Sequence, residues 1–481
     1  MSDTTLKEKT SRGLFWGGFS NLLQQLLSVA FGIYLARVLS PDDYGLVGML
    51  TIFIMLSYAL QDGGFISALI NRNGVSHNDY NAVFWFSTIV SLCFYLILFA
   101  CAPLIARFFH RPELVALSRW TFLGIIVCGL GIAHRAMLMK KMMIREIAIV
   151  NILSIAVSGF VGVFLAHKGF AYWALAIQGV LAATITNAGY WIASHWRPTF
   201  HFDTSPLKEM FPYGFRLMVT NILNNINPSL VTVILGRFYN VAQVGFYTQA
   251  SKWQTMSNNV LSGMVNGIAQ PVLFEVSGES DRQLRILRKM VRFIAFATFP
   301  AMAGLAFIAP EFIVTFLTSK WSESILLLQI LCIGGMTTPI SNVLINLILS
   351  KGRASQYMYS SLIYFTLTLA LAYFLHPHGV VWMVAGVTAL TVLWLLVWLL
   401  LVQKEVRYSL KHFLLDIAPF FCVTGISIIA AFFITRGISS LALRLVAKVF
   451  VTALIYILIM WSSGSVIFKE CVRFVKNKLN R

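Results

Sequence analysis

The sequence predicts an all-α integral membrane protein of about fourteen transmembrane helices. Two parallel six-helix bundles would surround a central cavity, with two further helices at the C-terminus. Three observations lead there. Apolar residues make up 58% of the 481-residue chain and charged residues 11%, where a water-soluble domain carries about 25% charged residues. Lysine and arginine cluster in alternate short loops. Two stretches 200 residues apart, Phe19 to Val47 and Val219 to Tyr247, echo one another.

A helix crosses the hydrocarbon core with about 20 mostly apolar residues. The segments that satisfy this run, in order, 13–37, 44–70, 81–108, 115–138, 146–166, 171–194, 210–236, 242–273, 291–317, 324–349, 356–375, 379–402, 413–434 and 441–467. The first follows the polar, basic leader Met1 to Arg12. No small-residue cleavage site comes after it, so it is expected to be retained rather than removed as a signal peptide.

Loop charges set the topology. With the N-terminus on the cytoplasmic side, roughly 24 of the 37 lysines and arginines fall in cytoplasmic segments and about seven on the opposite side. Both termini are therefore expected in the cytoplasm, and the net charge of +19 reflects this bias rather than nucleic-acid binding. The segment Asp281 to Arg292 is basic and amphipathic. It is expected to lie on the inner membrane surface against anionic lipid head groups.

The loop 195–210 joins the sixth helix to the seventh, so residues 1–198 form the expected first bundle and 199–403 the second. Residues 404–481 hold the two appended helices and a basic cytoplasmic tail. At the constant offset Asn21 faces Asn221, Leu23 faces Leu223, Leu35 faces Leu235, Arg37 faces Arg237 and Gly45 faces Gly245. The offset covers six helices, an even number, so both copies insert the same way up. Ala102-Pro103 with Phe109 recurs as Ala309-Pro310 with Phe316.

Polar residues inside apolar runs mark the candidate site. Asn21, Gln24, Gln25 and Ser28 fall at i, i+3, i+4 and i+7, one stripe on the first helix. Asn221, Asn224 and Asn225 repeat it on the seventh. Such a stripe does not face lipid. It either hydrogen-bonds neighbouring helices or lines a hydrated cavity, and its duplication favours the cavity. Lys252 lies near mid-bilayer in the eighth helix and suits a diphosphate, a coupling proton or a structural carboxylate. Arg216 lies about two turns into the seventh helix, where it serves the site or snorkels. Asp62 precedes Gly63-Gly64, which leaves a helix-end role and an ion-coupling role open. Arg37 and Arg237 sit at matching helix ends, where a cation complements the C-terminal dipole.

Catalytic signals are missing. The sequence holds no P-loop, HExxH, GxSxG or acidic loop pair, so no enzyme activity is expected. Six cysteines form no CxxC, and neither disulfide, metal nor cofactor is expected.

Several short motifs carry a resemblance. They are Leu39-Ser-Pro-Asp-Asp-Tyr-Gly45, Gly63-Gly-Phe65, Ala166-His-Lys-Gly-Phe-Ala-Tyr-Trp-Ala-Leu175, Trp196-Arg-Pro198, Leu235-Gly-Arg237, Val244-Gly-Phe-Tyr247, Pro271, Trp321 and Lys351-Gly352. In this order the chain resembles the bacterial polysaccharide transporters of the multidrug/oligosaccharidyl-lipid/polysaccharide exporter superfamily. These are flippases of O-antigen and exopolysaccharide units. The resemblance implies alternating access and an undecaprenyl-diphosphate-linked oligosaccharide carried from the cytoplasmic to the periplasmic leaflet. It places the chain in the bacterial inner membrane and adds the polysaccharide polymerase machinery as an expected partner. Relatives often carry an acidic residue before Leu235-Gly-Arg237, where this chain reads Asn227-Pro-Ser-Leu-Val-Thr232. A drug or small-cation exporter and a membrane-embedded polymerase or ligase are the competing readings.

Overall fold

A computed structural model of the chain describes the backbone of residues 3–72, 74–200, 203–276, 279–465, 467–470 and 473. Side chains are described for the same residues apart from 3–15, 212–221, 223–225, 227–228, 264–271 and 280. Among the described residues there is no strand. Also among the described residues, ten helices are long and apolar enough to cross a membrane, or eleven if one bent pair counts as a span.

The helices are α1 (Asp3–Val38), α2 (Pro41–Asp62), α3 (Phe65–Asn71), α4 (His77–Phe109), α5 (Leu114–Thr121), α6 (Leu123–Gly129), α7 (Ile132–Lys140), α8 (Ile144–His167) and α9 (Tyr172–Ser194). They continue as α10 (Ser205–Phe238), α11 (Val241–Glu275), α12 (Ser280–Phe312), α13 (Glu323–Ser350), α14 (Ala354–Leu375), α15 (Val380–Val406), α16 (Leu410–Thr435) and α17 (Leu441–Ser462). Thirteen of the expected segments are helical over nearly their whole length, and the fourteenth, 441–467, is helical to Ser462. Two of the others are interrupted. The second breaks at Gly63-Gly64, with φ of 51° and 72°, a left-handed pair that glycine adopts without a Cβ penalty. The fourth is built from α5, α6 and α7 and bends by 42° before Ile132. The basic segment 281–292 is not a separate surface helix but the first three turns of α12.

The chain divides into two compact units, Met1–Gly245 and Phe246–Arg481. In the first, α1 packs on α8, α8 on α9, and α2 on α10. Local signals explain the element starts. Ser40 caps α2 with Pro41 at its first position. Its Oγ accepts from Asp43 N at 3.3 Å, and Asp43 Oδ2 accepts from Ser40 N at 2.8 Å. Ser76 and Asp79 repeat this capping box on α4. Phe65, Leu69, Val83, Phe84 and Ala133 form a core that Trp196 closes. Trp196 Nε1 donates to His77 Nδ1 at 2.9 Å. The Gly-Gly-Phe and Trp-Arg-Pro motifs are thus parts of one packing arrangement. Lys140 Nζ donates to the last carbonyls around α3, those of Leu69, Ile70 and Arg72, as a cation does at a helix C-terminus.

In the second unit, α12 packs on α13, α16 and α17, and α13 on α15. Leu287, Val291, Val343, Leu347, Leu399 and Phe413 are among its core residues. Two buried ion clusters tie the C-terminal helix pair to α12. The Asp416 side chain is fully buried. It accepts from Arg288 Nε and Nη2 at 2.7 and 2.9 Å, from Arg292 Nε at 2.6 Å and from Tyr408 Oη at 2.9 Å. Tyr408 lies between α15 and α16. Burial first, and then the Asp416 carboxylate, hold its phenol above the ordinary tyrosine range, so it stays a donor. Towards the other end of α12, Glu311 meets Lys448 at 2.7 Å and Arg444 at 3.9 Å. Large apolar side chains stand exposed on α4, α16 and α17, including Leu96, Phe433 and Phe450. An aqueous surface would penalise them and lipid accepts them.

Candidate functional site

The α1 stripe survives as geometry. Asn21 is exposed, while Gln24, Gln25 and Ser28 are half-buried. One turn beyond Ser28, along the same side of the helix, Phe31 packs edge-on to Phe160 of α8, 5.3 Å between centroids, over Gly159. Gln24 Nε2 donates to Ser20 Oγ at 2.6 Å, a bond within the same helix. That arrangement leaves amide donors and acceptors of Asn21 and Gln25 for a polar ligand or water.

The matching stripe lies on α10. The backbone there is helical through Arg216, Asn221, Asn224 and Asn225, and the side chains of all four lie outside the described residues.

Lys252 is half-buried on α11, with Nζ 5.8 Å from the ring centroid of Trp253. One turn earlier, Gln249 is wholly buried, and neither of its amide atoms has a hydrogen-bond partner among the described residues. Asn258 is also buried, and Asn259 is exposed. Lys252 thus stands beside an aromatic ring, one turn from a buried amide.

Asp62 closes α2, and its Oδ1 accepts from Ile66 N at 3.3 Å across the Gly63-Gly64 break. It caps α3, the helix-end role. Arg135 on α7 is exposed and within electrostatic reach of Asp62. Arg237 ends α10 and donates to Phe108 O at 2.6 Å beside His110, so it closes the C-terminus of α4. Arg37 lies in the last turn of α1. Asn21, Gln24, Gln25 and Asp62 belong to the first unit and Lys252 to the second.

Sequence reading missed both ion clusters on α12. Their signal was present, since Asp416, Lys448 and Glu311 are isolated charges in apolar runs. An isolated charge at membrane depth needs a partner, and each has one here. No group of His, Cys, Asp and Glu able to hold a metal ion occurs among the described residues.

The chain matches the polysaccharide biosynthesis protein family over residues 34–326. It is 23% identical over 355 residues to the lipopolysaccharide biosynthesis protein WzxC of Escherichia coli K12, covering 73% of this chain and 71% of that protein. It is 24% identical over 342 residues to the succinoglycan biosynthesis transport protein ExoT of Rhizobium meliloti, covering 71% and 69%. Among solved structures, the lipid II flippase MurJ in its inward closed conformation superposes with a TM-score of 0.76. That match covers 96% of this chain and 99% of that one, at 14% identity. At this identity the likeness is one of fold.

Proposed function

Because the chain belongs to the polysaccharide biosynthesis protein family, we propose that it is a flippase for a lipid-linked oligosaccharide. It moves the undecaprenyl-diphosphate-linked unit from the cytoplasmic to the periplasmic leaflet by alternating access, for surface polysaccharide biosynthesis. It does so as a multi-pass inner-membrane protein with both termini in the cytoplasm, and hands the unit to polymerase machinery.

The family match over residues 34–326 carries this reading. The names of its relatives, one of them a transport protein, and the MurJ-like fold support it. So does the chemistry of the candidate residues. Asn21, Gln24 and Gln25, with Asn221, Asn224 and Asn225, supply amides for sugar hydroxyls. Lys252 and Arg216 supply charge for the diphosphate. Moving a polar head group through hydrocarbon unaided would strand its hydrogen-bonding groups, and a polar path lowers that cost. Asp62 enters as a capping group whose role in ion coupling is secondary.

Deleting the protein from its host, with no second flippase present, should stop surface polysaccharide export and leave the lipid-linked unit in the cytoplasmic leaflet. Normal export from such cells would overturn the reading.

A further inference from the structure

Arg285, Arg288, Lys289 and Arg292 fall at i, i+3, i+4 and i+7 on α12, one face of the helix. With Ile467 and Glu470, from the segment after α17, they line a groove of about 240 Å³ that is open to solvent. Asp416 is engaged from the same helix face by Arg288 and Arg292. Lys289 meets Glu470 at 2.8 Å. Arg285 is exposed and makes no ion pair among the described residues. Four cations therefore stand against two carboxylates, and the groove keeps an excess of positive charge.

Its depth is set by the sequence of α12. From Phe293 to Pro310 the helix carries no charge, and Glu311 follows. At 1.5 Å per residue, Arg292 and Glu311 lie about 28 Å apart along the axis, close to the thickness of a hydrocarbon core. The groove is thus level with the head groups of one leaflet, the one that the loop charges assign to the cytoplasm. Phe293, one residue deeper, is exposed and offers apolar surface at the level where an acyl chain begins.

We infer that this groove is a binding site for the phosphate of a resident anionic glycerophospholipid. The phosphate shares Arg288 and Arg292 with Asp416 and is held on its open side by Arg285 and Lys289. A resident lipid fits better than the diphosphate of a cargo in transit. Two of the cations are fixed to a fully buried carboxylate, and a site so anchored does not travel with a load. A bound lipid would brace the contact of α12 with α16. The inference rests on the membrane reading of the chain and not on its being a flippase.

The test uses the full chain in detergent and counts bound lipid by native mass spectrometry. Phosphatidylglycerol is titrated against phosphatidylcholine, with wild type, the double variant Arg285→Gln/Lys289→Gln and a control, Lys141→Gln/Lys404→Gln. Neither altered groove residue touches Asp416, so the clamp stays intact. Wild type and control should retain phosphatidylglycerol over phosphatidylcholine. The groove variant should lose affinity roughly fivefold for each cation removed. Equal binding of the two lipids by wild type, or equal phosphatidylglycerol binding by wild type and groove variant, overturns the site. Two competitors separate the sources of phosphate. Displacement by inorganic phosphate as effectively as by phosphatidylglycerol would assign the groove to a free anion. Preference for farnesyl diphosphate, lost in the groove variant, would assign it to cargo. Either result overturns the resident lipid. Because no transport is measured, a failure of the flippase reading leaves this outcome untouched.

Discussion

Gly45 lies so close to Val241 that a Cβ on it would stand 2.1 Å from the Val241 carbonyl oxygen. Gly245 is in the same relation to Pro41, with a Cβ placed 1.9 Å from that carbonyl oxygen. Pro41 and Val241 are equivalent in the repeat, as are Gly45 and Gly245, so the contact is reciprocal: each copy lays the first turn of its helix on the glycine of the other. All four residues lie in the first unit. Both glycines are helical positions where backbone meets backbone.

Gly45→Ala and Gly245→Ala should therefore each destabilise the fold, since a carbonyl cannot yield as a side chain does. The expected cost is about 1–3 kcal/mol, the range for overpacking. Thermal unfolding in detergent reads it, and an unchanged midpoint in both variants would refute the close approach.

Asp416→Ala leaves Arg288 and Arg292 without their buried partner. Removal of one member of such a cluster costs about 3–5 kcal/mol, and the half-exposed arginines place this variant at the lower end. Membrane abundance and unfolding temperature should both fall. Asp416→Asn, which keeps the shape and can still accept hydrogen bonds, should fall less.

Glu311 and Lys448 should couple. Glu311→Gln and Lys448→Met should each destabilise, and the double variant should lose less than their sum, because neither charge is then stranded. A double-mutant cycle on unfolding temperature checks this. Strict additivity would show the pair to be energetically idle.

Ser40→Ala removes the side-chain acceptor that holds Asp43 N at 3.3 Å. The loss should be about 1 kcal/mol. It should appear as a small drop in thermal stability with transport retained. A drop as large as that of Gly45→Ala would mean that Ser40 does more than cap.

Lys252→Ala and Arg216→Ala should lower transport while membrane abundance stays at the wild-type level. Accumulation of the lipid-linked unit in the cytoplasmic leaflet is the measurement. Normal transport in both variants would remove the cationic part of the proposed site.

Much of this was legible in one dimension. Apolar runs of sufficient length located the spans, because crossing hydrocarbon is a requirement each segment meets alone. The Ser-Pro-Asp-Asp string announced the start of α2, since its cap uses neighbours in sequence. The stripe of Asn21, Gln24 and Gln25 followed from helical periodicity. Asp62 was less legible. Its carboxylate could serve an ion or a helix end, and only the turn at Gly63-Gly64 brings Ile66 N onto it, a helix-end contact.

By itself, then, the sequence determined where the chain crosses the membrane, which residues are polar at depth, and that one stretch repeats another at a 200-residue offset. Only the tertiary structure decided what those residues meet. Asp416 is one carboxylate in an apolar run until α12, 128 residues away, brings Arg288 onto it. Gly45 is one small residue until Val241 arrives. Span formation depends on local hydropathy and backbone hydrogen bonds. Ion pairing and backbone contact depend on distance in space, which sequence separation does not encode.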